Sequence, residues 1–166
     1  MITQTELKRL FDYRDDGNLI RKIATGGQCG KIGQVVGSIS ISKDRPDKKY
    51  LSTKIKGKVY RVHRLVFLWH NSYLPEQLDH INRITLDNRI ENLRPATISE
   101  NASNRKIFSS NTSGAKGVSW HKISKKWFVY IDINKKRKNI GYFDDFELAE
   151  LVSLEAHDKF HGAFAI

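Results

Sequence analysis

Residues 78–105 read LDHINRITLDNRIENLRPATISENASNR, and this stretch decides how the rest of the chain is interpreted. It contains one Asp-His pair, Asp79 and His80, in a segment that is otherwise rich in asparagine. The asparagines are Asn82, Asn88, Asn92, Asn101 and Asn104. Asparagine is a poor helix former and is common in turns, so turn formation suffices to explain Asn82 and Asn88.

Three landmarks occur in order in this stretch: DHIN, then NRIENLR, then the run from Thr97 to Asn104. On these landmarks residues 60–105 resemble the HNH family of nucleases, in the version found in phage and intron-encoded homing endonucleases. His80 to Asn92 is 12 residues and Asn92 to Asn101 is nine, so the family's motif fits without a gap. The resemblance implies a ββα-metal (His-Me finger) fold, in which a strand, a loop, a second strand and a helix surround one divalent cation.

The resemblance also implies a role for each residue of the motif. His80 would be the general base, Asn92 would orient its ring, and Asp79 and Asn101 would be metal ligands. Many HNH nucleases end the motif with a second histidine, and Asn101 replaces it here, as in some members of the homing group. Asn104 is the alternative ligand if the register shifts by one helical turn. The implied reaction is DNA hydrolysis leaving 5′-phosphate and 3′-hydroxyl ends.

Elementary chemistry agrees with these roles. A water that attacks a phosphodiester must lose a proton near neutral pH, and imidazole has an ordinary pKa of about 6.5. A loop asparagine can hold one ring nitrogen so that the other faces the water. One carboxylate and one amide oxygen suit a hard, hydrated cation, so we expect one Mg²⁺ or Mn²⁺ per active site.

The remaining histidines carry less information. His63 lies in the run RVHRLV, where this family often has a His-Arg pair, and it fits either a core position or a phosphate contact. His121, His157 and His161 have no carboxylate at ligand spacing, so we expect no second metal site. Cys29 is the single cysteine, which excludes an intramolecular disulfide and a zinc site built on several thiolates, and we expect no structural zinc.

Composition points to an anionic partner. The 166 residues carry a net charge of +11, and residues 105–138 hold ten Lys/Arg against the single acid Asp132. Double-stranded DNA is the partner we expect, and no small-molecule substrate. The N-terminal stretch lacks an apolar signal region and no segment is apolar for about 18 residues, so we expect no membrane association and a cytoplasmic protein. The resemblance to phage homing endonucleases implies that this is the cytoplasm of a phage-infected bacterial cell.

Patterning predicts a β-rich N-terminal region. A helix capped by Thr5 runs to Phe11, and the segment 63–70 is helix-like with a broad apolar face. Strands are expected at 19–23, 34–36 and 38–41, and a hairpin at 50–55 and 59–62.

The tail has its own pattern. Residues 105–116 are rich in Ser, Asn and Gly and predict a linker. Three strands follow at 118–120, 126–133 and 137–143, then a helix with Asp144 as N-cap and Glu147 completing a capping box. Its apolar stripe consists of Ala149, Val152, Ala156, Phe160 and Ala163. Gly117 to Phe164 resembles an Apetala2-type (ERF-like) DNA-binding domain, a three-stranded sheet backed by a helix.

The sheet of this tail is the predicted DNA-binding surface. Its phosphate-contacting cations are Lys122, Lys125, Lys126, Lys135, Lys136, Arg137 and Lys138. Base-contacting candidates are Trp120, His121 and Tyr130, whereas Trp127 fits the core better. Ser119 and His121 stand where the Apetala2 family has base-reading arginines, so base preference does not carry over.

The sequence therefore predicts an α+β protein with an N-terminal β-rich region, a central ββα-metal nuclease motif and a C-terminal three-stranded sheet plus helix. The expected domains are an HNH endonuclease domain at 1–104 (β-rich region 1–60, motif about 61–104), a linker at 105–116 and an Apetala2-like domain at 117–166. We expect a monomer that nicks DNA, or a homodimer that cuts both strands. The alternatives are a DNA-binding regulator on a degenerate nuclease scaffold and a protein directed to RNA.

Overall fold

A computed structural model describes residues 2–24, 30–42, 46, 48–104, 107, 110–133 and 136–164. The fold is mixed α+β, as predicted, with four α-helices and ten strands among the described residues. The helices are α1 (Gln4–Leu10), α2 (Val62–His70), α3 (Ile98–Ser103) and α4 (Phe146–His161). The strands are β1 (Phe11–Arg14), β2 (Asn18–Arg21), β3 (Ser38–Ile41), β4 (Lys49–Ile55), β5 (Lys58–Arg61), β6 (Gln77–His80), β7 (Leu93–Ala96), β8 (Val118–His121), β9 (Lys126–Ile133) and β10 (Lys136–Phe143). Cys29 and Lys135 lie outside the described residues.

The chain divides into two compact units, residues 1–95 and 96–166. The first unit contains the pair β1-β2, the antiparallel sheet β3-β4-β5 and the pair β6-β7. Its core forms around α2, because the helix buries Val62, Leu65 and Val66 completely against side chains such as Leu7 and Phe11. The broad apolar face expected of the 63–70 segment is thus confirmed.

Two local expectations for the first unit need correction. The N-cap of α1 is Thr3 and not Thr5: Thr3 has extended backbone angles, and its side chain accepts a hydrogen bond from the Glu6 N–H. Residues 34–36 form no named strand, and Val35 makes only an isolated bridge to Ile20. The β4-β5 hairpin is confirmed, and its turn has positive φ at Lys56 (46°) and Gly57 (81°), as tight hairpin turns require.

The second unit has the predicted three-stranded antiparallel sheet, in the order β10-β9-β8, with α4 packed on one face. The N-cap of α4 is Asp145 and not Asp144: the Asp145 carboxylate accepts from the Leu148 N–H at 2.7 Å, while Asp144 forms an ion pair with Lys126. The buried positions of α4 also differ from the predicted stripe. They are Ala149, Ser153 and His157, whereas Phe160 is 37% exposed.

The predicted linker, residues 105–116, falls inside the second unit, and so does α3, which the sequence grouped with the nuclease region. Ala115 belongs to the core of this unit, and the Ser113 hydroxyl donates to the Val118 carbonyl at 2.7 Å. No helix among the residues that the structure describes has the length and apolar character that a bilayer crossing needs.

Candidate active site

Asp79 and His80 are the last two residues of β6, which pairs with β7. Both are buried, with 5% and 6% of their surface exposed. Successive side chains of a strand point to opposite sides, so the two groups have different neighbours. Burying an ionisable side chain is costly unless it has polar partners, and both residues have them.

The partner of Asp79 is Arg94 on β7. Nε and Nη2 of Arg94 donate to one carboxylate oxygen of Asp79 at 2.9 and 2.8 Å. The two side chains are only 14% and 6% exposed, so this ion pair is shielded from water. The carboxylate expected to bind a cation is therefore already held against a positive charge.

His80 lies among polar and aromatic groups. Its Nε2 is 3.5 Å from Oδ1 of Asn88, the His63 ring is 4.9 Å away between centroids, and the Tyr50 ring is 6.4 Å away. Burial lowers the pKa of His80 below its ordinary value, and the Asn88 contact opposes this shift. Burial therefore favours the neutral imidazole, which is the form a general base requires.

Asn92 stabilises the loop between β6 and β7. Its Oδ1 accepts from the Asn82 N–H at 2.9 Å, and its Nδ2 donates to the Asp87 carbonyl at 2.8 Å. The sequence assigned Asn92 to the His80 ring, but the asparagine that reaches the ring nitrogen is Asn88. Asn92 bonds the residue that precedes Asn88, and so it positions the ring contact indirectly.

The same loop is held by a second set of polar contacts. Arg89 donates twice to the Asp87 carboxylate, at 2.9 and 2.8 Å, and Asn82 donates to it at 2.7 Å. The Arg89 hydrogen bonds lower the pKa of Asp87 to about 2. The Thr85 hydroxyl donates to the Lys49 carbonyl at 2.6 Å, which fixes the loop to β4. These contacts hold the loop beside His80 within the first unit.

His63, at the start of α2, contacts the rings of both Tyr50 and His80. It is 8% exposed, and its buried Nδ1 has no hydrogen-bond partner among the described residues. Burial, followed by the nearby His80, lowers the pKa of His63 to about 3. Burial therefore favours the uncharged ring of His63, which packs edge-on against the His80 ring.

Asn101 and Asn104 lie on and just after α3, at the beginning of the second unit. This short helix is well defined by a capping box between Thr97 and Glu100. Asn104 is its C-cap and is buried, whereas Asn101 is partly exposed. Asn101 is therefore the more accessible of the two candidate ligands.

Sequence reasoning missed three residues beside the Asp-His pair: Asn88, Arg94 and Tyr50. Asn88 was interpreted as a turn former, although it is only 2% exposed. A signal for it existed in the LDNR segment eight residues after His80, but a turn asparagine and a buried one look alike in sequence. Arg94 and Tyr50 gave no signal, because only the pairing of β6 with β7 and the tertiary packing of β4 bring them close.

In the second unit, strand register assigns each predicted DNA-binding residue to a face of the sheet. Tyr130 and His121 lie on the face opposite the buried Val129, and Arg137 stacks over the Tyr130 ring at 3.8 Å while pairing with Asp132. Trp120 pairs with Trp127 and shares its face, the one on which Trp127 packs against Phe146 of α4. The expected core role of Trp127 is thus confirmed.

The lysines predicted to contact DNA differ in their exposure, their partners and the face of the sheet on which they lie. Lys122 and Lys125 are exposed in the β8-β9 turn, and Lys136 is exposed at the start of β10. Lys126 pairs with Asp144, and Lys138 lies 4.6 Å over the Phe160 ring of α4. Lys138 is therefore on the helix side, away from Tyr130 and Arg137.

No three His, Cys, Asp or Glu side chains converge as a metal cluster within the described residues. A cation at β6 would depend on the Asp79 carboxylate, amide oxygens and water. That donor set fits a hard divalent ion such as Mg²⁺ or Mn²⁺ and not a thiolate-bound metal. The Arg94 guanidinium would compete with such an ion for the Asp79 carboxylate.

Comparison with known proteins shows which family the region around this site resembles. Residues 60–103, which include β6, its loop, β7 and α3, match the HNH endonuclease family. The chain is 35% identical over 110 residues to "Protein 3.8" of Escherichia phage T7, an alignment covering 65% of this chain and 90% of that protein. No solved structure matches significantly. The HNH match ends before the C-terminal sheet, so the Apetala2 resemblance stays a prediction. The chain therefore belongs to the same family as phage T7 protein 3.8 and has an HNH endonuclease domain at its centre.

Proposed function

We propose that the protein is a metal-dependent DNA endonuclease in which His80 is the general base. The observation that carries this proposal is the buried Asp79-His80 pair at the end of β6, with each side chain held by a different polar partner. It lies within the region that matches the HNH endonuclease family. The reaction is hydrolysis of a phosphodiester, leaving 5′-phosphate and 3′-hydroxyl ends, as a nick or as homing-type cleavage at a specific site.

In this mechanism the neutral imidazole of His80 takes a proton from the attacking water. Asn88 restrains the ring through its contact with Nε2, and Asn92 fixes the loop that carries Asn88. Asp79 and Asn101 would hold a divalent cation, with Asn104 as the alternative to Asn101. When bound, Mg²⁺ or Mn²⁺ stabilises the negative charge that develops on the phosphoryl and leaving oxygens.

The C-terminal unit would hold the protein on double-stranded DNA in the manner of an Apetala2-like domain. Its exposed turn lysines, Lys122 and Lys125, would neutralise phosphates, and each such contact makes binding more sensitive to salt. Lys136 pairs with Ile133 and therefore lies, like Lys138, on the face that carries α4. His121 and Tyr130 would face the bases, with Arg137 stacked on Tyr130. This proposal rests on the open face of the sheet and on the excess of positive charge in residues 105–138.

Plasmid nicking tests the catalytic proposal. With Mg²⁺, the wild-type protein should convert supercoiled plasmid to nicked circles, and His80→Ala should slow this by at least about 10²-fold, the usual contribution of a general base. His70→Ala is the matched control, since it removes an exposed histidine from the end of α2. Equal rates for His80→Ala and the control would refute the assignment. Linear product without a nicked intermediate would indicate a dimer that cuts both strands.

A second candidate function is DNA binding without cleavage, and one observation favours it: Arg94 already provides the buried positive charge beside Asp79. In that case the central region would serve only as a scaffold for the C-terminal unit. His80→Ala separates the two functions. If DNA affinity and the background cleavage rate are both unchanged by the substitution, the protein is a regulator and not a nuclease.

A further inference from the structure

The sheet β3-β4-β5 has a polar face that the proposed catalytic mechanism does not use. Strand register places seven side chains on that face. They are Ser38, Ser40, Tyr50, Ser52, Lys54, Val59 and Arg61, and we call them the serine face. The other face is apolar, since Leu51, Ile55 and Tyr60 pack there into the core of the first unit.

The serine face begins at the catalytic histidine. The centroid of the Tyr50 ring is 6.4 Å from that of the His80 ring. Tyr50 also contacts Arg61, whose guanidinium carbon lies 4.3 Å from the centroid of the Tyr50 ring. Nη1 of Arg61 donates to the Ser40 hydroxyl at 3.3 Å, and Ser40 is hydrogen-bonded to Ser52 at 2.7 Å. A chain of contacts therefore leads from His80 across the sheet.

At its far end the serine face opens into a groove of about 700 Å³. From the sheet, the groove is lined by Ser38, Ser52, Thr53, Lys54 and Val59. The rest of its lining comes from Arg21, Gly30, Gln34, Val35 and Gly37. The groove thus offers hydroxyl and amide hydrogen-bonding groups together with two cationic side chains, in the same compact unit as His80.

Charge favours a polyanion as the occupant. Residues 48–64 contain seven Lys/Arg and no Asp or Glu. Sugar-phosphate backbone is bound in proteins by lysine and arginine together with serine and threonine hydroxyls, and such contacts position the polymer without reading its sequence. The serine face and the groove combine both kinds of group.

We propose that the serine face and its groove bind the backbone of duplex DNA next to the scissile phosphate, with Arg61 nearest the cut and Arg21 and Lys54 farthest from it. This inference rests on the proposed function, since it takes His80 to mark the scissile position. The surface would add a second point of DNA contact to the one proposed for the C-terminal sheet.

The test measures affinity and not cleavage. Fluorescence anisotropy with a labelled DNA duplex of about 30 base pairs would be recorded in EDTA across a salt series. Each lost phosphate contact lowers the slope of log affinity against log salt by about 0.9, or about eightfold in affinity at 0.1 M salt. We expect this loss for Lys54→Ala and for Arg21→Ala, and about twice the change in slope for the double variant.

Lys58→Ala is the matched control, because Lys58 carries the same charge in the same hairpin but pairs with Ile55, which packs into the core on the other face. If Lys54→Ala and Arg21→Ala have the same salt slope as Lys58→Ala, the proposal is wrong. It is also wrong if the slope changes only with an RNA duplex. Lys54 is exposed, so its substitution tests the groove even if Arg21→Ala impairs folding.

The outcome is distinct from that of the catalytic test. Suppose that the wild-type protein does not nick plasmid but that the salt slope falls in the two groove variants. The DNA-binding groove would then be supported, and the nuclease assignment would be wrong. If the wild-type protein cleaves plasmid and the salt slopes are unchanged in both groove variants, the nuclease assignment would be supported and the DNA-binding groove would be wrong.

Discussion

The ion pair between Asp79 and Arg94 makes a quantitative prediction about stability. Both side chains are almost fully buried, and Arg94 donates two hydrogen bonds to one oxygen of Asp79. Replacing Arg94 with methionine keeps much of its volume but removes the guanidinium that offsets the charge of the buried carboxylate. Breaking a buried pair in this way costs about 3–5 kcal/mol of unfolding free energy, whereas an exposed pair would cost under about 1 kcal/mol.

The pairing can be separated from the individual side chains by a double-mutant cycle. Asp79→Asn alone removes the negative charge beside the buried guanidinium and should also be destabilising. The double variant Asp79→Asn/Arg94→Met removes both charges. It should therefore lose less unfolding free energy than either single variant. Urea unfolding in EDTA, followed by far-ultraviolet circular dichroism and fitted with separate transitions for the two units, would measure each variant.

Two results would show that Asp79 and Arg94 do not form a buried, coupled ion pair. Additive losses in the double variant would show that Asp79 and Arg94 are not energetically coupled. A loss below about 1 kcal/mol for Arg94→Met would show that water reaches the pair.

Three other predictions follow from the same structure. Asn88→Leu removes the acceptor near His80 and should slow nicking about 10- to 100-fold without weakening DNA binding. Asn88→Asp keeps an oxygen at that position and should recover much of the rate. Equal nicking rates for the two variants would contradict this positioning role. Gly117→Ala should destabilise the second unit by more than about 1 kcal/mol, because φ is +73° and the new Cβ would lie 2.5 Å from the Tyr130 carbonyl oxygen. Gly114→Ala is its control, with a similar φ of +79° and open space around the Cβ, and an equal loss in urea unfolding would contradict the predicted clash. The buried His157 should make the second unit acid-sensitive, because burial lowers its pKa to about 4. The unfolding free energy of this unit should be highest above pH 6.5. It should fall by up to about 3 kcal/mol as the pH drops towards 4, and then level off. Thermal melts of His157→Leu should lack this dependence, and an unchanged pH profile would contradict it.

Much of the fold could be predicted because local signals were strong. The hairpin of β4 and β5 followed from alternating residues around Lys-Gly-Lys, and the three C-terminal strands followed from alternation interrupted by polar turns. The errors concern the capping positions of two helices and the strand expected at 34–36. Neighbouring residues such as Thr3 and Thr5, or Asp144 and Asp145, have equal capping ability, and only the backbone angles of the folded chain decide between them.

The candidate site was predictable only to a limited extent. Composition and order identified Asp79 and His80, because an acid-histidine pair followed by spaced asparagines is a specific pattern. The partners of the pair were not predictable, since Arg94 and Tyr50 reach it through strand pairing and packing, which local sequence does not encode. The buried His157 was likewise missed, because a histidine on a helix is more often exposed than a member of the core.

The proposed nuclease mechanism requires a divalent cation at Asp79, beside the general base His80. Anomalous diffraction from crystals soaked in Mn²⁺ would locate such an ion independently of the protein. We expect a manganese peak at about 2.1 Å from a carboxylate oxygen of Asp79, with Asn101 or Asn104 as the second protein ligand. An Asp79 carboxylate still bound by Arg94, with no manganese beside it at saturating concentration, would contradict the mechanism.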